Sequence, residues 1–193
     1  GVTISFFNTN GRFQARVEGP VSGNVLLRKQ QYRLSENSDG YLPFARASVA
    51  AKIQNARTNL QRHLRNHGSN GGNAEIQEVI LRLGRQVKKI PACSDPDELR
   101  GCEGAAADEY FSVFDHLIVS QKDDFRFSGR SRRPPMDRVN ALLSFVYTLI
   151  THDIRSALEG VGLDPAVGFL HRDRPGRPSL ALDLLEEFRH SLA

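Results

Sequence analysis

The sequence predicts a mainly α protein, a helical domain preceded by a remnant of a β-rich domain. Three observations carry that prediction. From about residue 43, apolar residues recur at helical spacing over several long segments. Before that, residues 2–17 alternate in strand fashion about the turn-rich Asn8-Thr-Asn-Gly11. The 193 residues, 39% hydrophobic and 25% charged, have the composition of a soluble globular protein large enough for a real core. No apolar run approaches the ~18 residues of a membrane span, so a transmembrane helix is excluded, and no secretory pattern opens the chain. Cys93 and Cys102 match no zinc spacing and make no disulfide framework, which fits a reducing cytoplasm.

The elements follow in order. Val2–Phe7 and Arg12–Val17 read as a hairpin. Two strands do not stand alone, and the first begins at once without a Met, so residues 1–22 are expected to be the end of a larger β domain. Gly19-Pro20 and Ser22-Gly23-Asn24 break the pattern, and residues 23–42 read as a linker in which Asn24–Tyr32 makes a helix or turn. Residues 44–67 form a helix with Val49, Ile53, Ala56 and Leu60 on one stripe, and Gly68–Asn73 is a loop. Residues 74–90 form a second helix with Ile76, Val79, Ile80, Leu83 and Val87 inward. Asp95-Pro96-Asp97-Glu98 has Asp as N-cap, Pro at the first position and Glu at the third, and starts a helix reaching about Val119. Residues 121–133 are a polar, basic, mobile loop. Pro134-Pro135 opens a helix ending near Gly160-Val-Gly162, and Asp164-Pro165 turns the chain. Val167–Leu170 is short and apolar, and Ser179 caps a last helix through the final residue. A chain ending inside a helix is expected to be cut short at its C-terminus as well.

Residues 1–89 carry 14 Lys and Arg against 5 Asp and Glu, whereas residues 90–193 carry 12 against 17. Such an asymmetry fits one surface for a polyanion and another for cations. The basic residues are 21 Arg and 5 Lys, which suits bidentate phosphate contacts, although Arg-rich codon usage would give the same count.

Chemistry concentrates in four places. In Arg100–Phe111 (RGCEGAAADEYF), Glu103 falls on the apolar stripe of Leu99, Ala106, Tyr110, Phe114 and Leu117. A carboxylate there needs a partner or a bound cation. The flanking Gly101 and Gly104 are poor helix formers, and with Ala105–Ala107 they imply close approach of a backbone or a ligand. A tight helix crossing with Glu103 paired to an arginine explains the same residues. His171 ends the segment GFLH and reads as a metal ligand, a general base or a core histidine. The last helix buries Ala181, Leu184, Leu185, Phe188 and Leu192, and Asp183 and Glu186 lie opposite, so periodicity alone makes them a solvated acidic face. A Glu, a His and an acid pair on separate elements would suit Mg or Mn rather than structural zinc, and phosphodiester chemistry. Finally, residues 125–138 carry Arg126, Arg130, Arg132, Arg133 and Arg138 with Phe125 and Phe127 interleaved, which suits either a nucleic-acid backbone or a solvated loop holding its helix by ion pairs. No phosphate-binding loop, dinucleotide fingerprint, nucleophile elbow or HExxH occurs.

Four segments, ARVEGPVSGNVLLRKQQYR (15–33), RGCEGAAADEYF (100–111), SRRPPMDRVNALLSFVY (131–147) and GLDPAVGFLHRDRPGRPSLALDLLEEFR (162–189), together resemble the CRISPR-associated spacer-acquisition integrases, the catalytic subunit of the adaptation complex, and within them the type I-C branch. The resemblance implies that residues 43–193 are a helical catalytic domain and that Glu103, His171 and Glu186 are catalytic ligands of a divalent metal, Mg or Mn. It implies that Asp183 and Tyr147 lie near the site and that Arg174 or Arg177 stands by the scissile strand. The implied activity joins protospacer 3′-hydroxyl ends to repeat DNA by transesterification and cuts branched DNA. The implied partners are DNA, a second copy in the intact protein and a second CRISPR adaptation protein. The rival readings are a non-catalytic DNA-binding helical module and a scaffold in that complex.

Overall fold

A computed structural model describes residues 4–9, 13–17, 24–68 and 72–190. The protein is mainly α, with a two-stranded sheet and seven helices among those residues. The predicted breaks at 18–23, residues 69–71 of the 68–73 loop, the tip of the hairpin and Leu192 lie outside them. The chain divides into two compact units, residues 1–41 with 145–185, and residues 42–144 with 186–193.

In the first unit β1 (Ile4–Phe7) pairs antiparallel with β2 (Phe13–Val17), Ile4 opposite Val17 and Ser5 opposite Arg16, with a register shift at Phe6–Phe7. α1 (Val25–Ser35) starts where Asn24 Oδ1 accepts the Leu26 N–H at 2.9 Å. α6 (Arg138–Val161) enters this unit at residue 145 and ends where the sequence places its stop. Gly162 takes a left-handed φ of 89°, its N–H bonds the Glu159 carbonyl, and the Leu163 N–H bonds that of Leu158, a Schellman closure that a side chain would strain. Leu158, Leu180 and Ala181 make a small core, with Ile154, Leu163, Phe169 and Leu184 packed on it. The buried Gln31 fixes the following turn: its Nε2 donates to the Asp164 and Val167 carbonyls, and its Oε1 accepts the Asp164 N–H, each at 2.8 Å. Phe13 stacks on His152 with ring centroids 4.2 Å apart.

In the second unit α2 (Ser38–His67) buries Val49, Ile53, Ala56 and Leu60 as predicted. It begins earlier than Pro43 because Asn37 takes up its first free groups, and Pro43 only costs it the bond to the Asp39 carbonyl. α3 (Asn73–Lys89) buries Ile76, Val79, Ile80 and Leu83, leaving Val87 half-buried. A short 3-10 turn (Ile90–Ala92) leads to α4 (Pro96–Ser112), capped by Asp95 with Pro96 at its first position. α4 stops seven residues short of the predicted Val119. Val113 breaks it, α5 (Phe114–Leu117) is one turn, and Leu117 is half-buried. The segment 118–137 is irregular but tied down: the Asp115 carboxylate accepts the Phe127 N–H, and Asn140 Oδ1 accepts the Ser131 N–H. α6 starts at Arg138, with Asp137 accepting the Asn140 N–H at 2.7 Å, so Pro134-Pro135 lies ahead of the helix rather than at its mouth.

α7 (Ser179–Phe188) carries Asp183 and Glu186 one turn apart. It ends at Phe188 instead of running to the last residue, and Ser179 Oγ donates to the Arg172 carbonyl rather than capping the helix. Phe188, expected inside, is 48% exposed. No helix among the described residues is long and apolar enough to cross a membrane.

Candidate active site

Lys52 organises the second unit. It sits on the predicted stripe of α2, three residues after Val49 and four before Ala56, and is 2% exposed. Lysine is almost never that buried unless paired. Its ammonium bonds the Glu103 Oε1 of α4 and reaches Glu186 Oε2 of α7 at 2.5 Å. The other Glu186 oxygen takes Arg189 Nη2 at 2.9 Å. Glu103 therefore pairs with a cation on its buried face, as its position demanded, but the partner is a lysine and not an arginine. Gly101 and Gly104 serve no close crossing, because a Cβ at either would meet nothing within 4 Å.

Asp183 and Glu186 are not a solvated face: they are 4% and 2% exposed. Periodicity failed because the polar side of α7 is covered in each unit by its own partners. For Glu186 these are Lys52 and Arg189. For Asp183 they are the backbone of the GFLH turn: Oδ2 accepts the Phe169 and Leu170 N–H groups at 2.6 and 2.9 Å, and Oδ1 the His171 N–H at 2.9 Å. His171 Nδ1 lies 2.6 Å from the same Oδ1. A ring nitrogen bonded to a carboxylate is held as the N–H donor, which directs the lone pair of the neutral imidazole to Nε2, the pattern of an oriented metal ligand or base. Gly168 makes this turn possible, since a Cβ there would stand 2.8 Å from Asp183 Oδ2 and from the Ser179 carbonyl carbon.

Beside Lys52, His190 packs on Tyr110 with centroids 4.2 Å apart. Burial pushes its imidazole down to about 3, Lys52 and Arg189 push the same way, and Glu186 opposes them. His190 is accordingly neutral at any ordinary pH. Lys52, Arg189 and His190 were not singled out from the sequence. The legible signal was a lysine inside an apolar stripe, which demands a buried anion.

The basic residues have diverse roles. Arg130 Nη1 donates to the Ser131 carbonyl at 2.7 Å and to Asn140 Oδ1 at 2.6 Å, so it fastens its own loop. Phe127 is buried against Phe114, centroids 4.9 Å apart, and presents no face to a base. Arg126 and Arg138 are exposed and pair with Asp123 and Asp124. Arg132, Arg133 and Arg174 are exposed, Arg177 is half-buried, and Tyr147 is buried on α6.

The structure thus brings Glu103 and Glu186 onto one cation in the second unit, and His171 onto Asp183 in the first. Among the described residues no three His, Cys, Asp or Glu side chains are gathered as a ready ligand set. The donor chemistry nonetheless suits a hard divalent cation: two carboxylates already bracket a positive charge, which Lys52 supplies in its stead.

The family described as CRISPR associated protein Cas1 matches residues 1–193, and the chain belongs to it. A relative from Rhodospirillum rubrum, named CRISPR-associated endonuclease Cas1 2, is 56% identical over 193 residues, covering 98% of this chain and 55% of its own. The chain spans about half the length of the curated relatives it matches. Among solved structures, a casposase bound to integration product superposes with a TM-score of 0.79 at 26% identity, over 98% of this chain and 51% of that one. A Cas6-RT-Cas1–Cas2 complex superposes with a TM-score of 0.78 at 25% identity, over 99% of this chain and 20% of that one.

Proposed function

We propose that the protein containing this chain is a metal-dependent DNA endonuclease and integrase of CRISPR adaptation, and that Glu103, His171 and Glu186 hold its divalent cation, Mg or Mn. The observation that carries this reading is the convergence of the Glu103 and Glu186 carboxylates, from α4 and α7, on one buried positive charge. The Asp183-held imidazole of His171 supports it, and so do membership of the Cas1 family and the endonuclease name of the relative.

A divalent cation in that place would polarise the scissile phosphodiester and offset the charge that builds on its oxygens. The chain's own groups do the rest. Glu103 and Glu186 supply the negative charge that concentrates the cation. Asp183 fixes the His171 ring so that Nε2 remains its acceptor nitrogen. The exposed Arg126, Arg132, Arg133, Arg138 and Arg174 position the phosphate backbone without reading its sequence. In strand joining, the 3′ oxygen of the incoming DNA forms the new P–O bond, the bond to the departing strand breaks, and the hydroxyl proton leaves to solvent or a base. With water as nucleophile the same centre cuts branched DNA. DNA and a second adaptation protein are the partners proposed, supported by the superposition on a casposase bound to integration product and on the Cas1–Cas2 assembly. The test is Mn-dependent cleavage of branched DNA by the full chain. Glu103→Gln abolishes turnover while duplex binding persists. Undiminished turnover rejects Glu103 as a ligand.

A further inference from the structure

We infer that Lys52 is a built-in counter-cation that holds Glu103 and Glu186 in place before metal arrives and must withdraw when it does. The inference rests on the ligand roles proposed above for these two glutamates. Two carboxylates facing one another in a buried site cannot both stay ionised without a nearby positive charge. Lys52 supplies that charge with an ammonium placed between them, on a stem packed in the core of α2 beside Val49 and Ile53. Arg189 holds the other oxygen of Glu186, its Nη2 2.9 Å from Oε1. Its guanidinium therefore remains in place when the near oxygen changes partner.

A dication bonded to Glu103 Oε1 and Glu186 Oε2 would need the oxygens that the ammonium holds, and would stand within a few ångströms of a like charge. The two cations are competitors for one site. Loading is then an exchange, one ammonium out and one metal ion in, and the measured affinity of the protein is lower than the intrinsic affinity of its carboxylates by the strength of the lysine's hold. The lysine has a long, flexible stem, and Glu103 on one side of its ammonium is only half-buried, which is the side on which the ammonium would withdraw. The device has two consequences. Without metal the site keeps its shape and its neutral balance. Weak monovalent cations do not load it, because they bring no more charge than Lys52 already provides.

The experiment is calorimetric titration of Mn2+ into the full chain without DNA, for wild type, Lys52→Met, Glu103→Gln and the double variant. Lys52→Met keeps the apolar stem and removes the charge. Its Mn2+ affinity is expected to rise about tenfold or more, from loss of both the competitor and the like-charge repulsion. An unchanged or weaker affinity overturns the inference. Glu103→Gln separates this from the ligand assignment. If it leaves Mn2+ binding intact in wild type, the assignment of Glu103 fails. If it abolishes binding while Lys52→Met changes nothing, only the role of Lys52 fails. Should Lys52→Met not fold in chelator, circular dichroism on adding Mn2+ gives the readout: recovery of the helical spectrum supports the exchange, and no recovery overturns it.

Discussion

Replacing Asp183 by Ala removes one carboxylate that accepts three backbone N–H groups and holds a histidine ring. The Leu170 N–H is the buried member of the three, and a buried donor without its acceptor costs about 1–3 kcal/mol. The Phe169 and His171 donors are part-buried, so water replaces the carboxylate there and each adds a smaller loss. The sum is about 3 kcal/mol, a large fraction of the roughly 5–15 kcal/mol that keeps a domain folded. Urea unfolding followed by circular dichroism measures it, with Asp123→Ala as a control at a fully exposed carboxylate whose midpoint should not move. In Asp183→Ala the metal affinity should fall as well, because the His171 ring loses the bond that orients it. A loss of stability below about 1 kcal/mol would refute the reasoning that Asp183 holds the GFLH turn.

Gly168→Ala should destabilise by about 1–3 kcal/mol in the same assay, since its Cβ collides with the Asp183 carboxylate and the start of α7; an unmoved midpoint means the turn has room to spare. The His190 imidazole is held down to about 3 in the fold against about 6.5 unfolded, so the unfolded chain binds the extra proton and stability falls as pH drops below about 6.5. Between pH 7 and 5 this histidine accounts for about 2 kcal/mol, and His190→Phe should show that much less acid loss; an identical pH profile contradicts it. Replacing Arg126, Arg132 and Arg133 together by Gln should reduce the slope of log affinity for duplex DNA against log salt by up to about 3, about 0.9 for each phosphate no longer neutralised. Arg130→Gln should instead lower the melting temperature, because its guanidinium holds Ser131 and Asn140. Equal salt slopes for the triple variant and wild type would remove this loop from the DNA surface.

Much of the helical frame was legible because its signals are local. The stripe of Val49, Ile53, Ala56 and Leu60, the Asp95-Pro96 start and the Gly162 stop are each set by neighbours within a turn or two. Glu103 was legible for the same reason, as an acid on an otherwise apolar stripe. What was lost depends on residues distant in sequence. The acids of α7 look solvated until the 168–171 turn and Lys52 are in place, and nothing in the helix itself announces either. Phe188 was misplaced by the same error, since a helix with partners on its polar side need not bury its whole apolar stripe. Arg130 and Phe127 belong to a loop rich in basic and aromatic residues, and composition cannot tell a side chain that ties a loop down from one that faces a ligand.

In the function proposed above, Glu103 and Glu186 close on a divalent cation together with His171. Anomalous diffraction from crystals of the full chain soaked in Mn2+ tests it most directly. The account predicts a single strong peak about 2.0–2.6 Å from an oxygen of each glutamate, with a His171 nitrogen in the same shell and the Lys52 ammonium withdrawn. Manganese bound elsewhere, with Lys52 still bridging the two carboxylates, would contradict it.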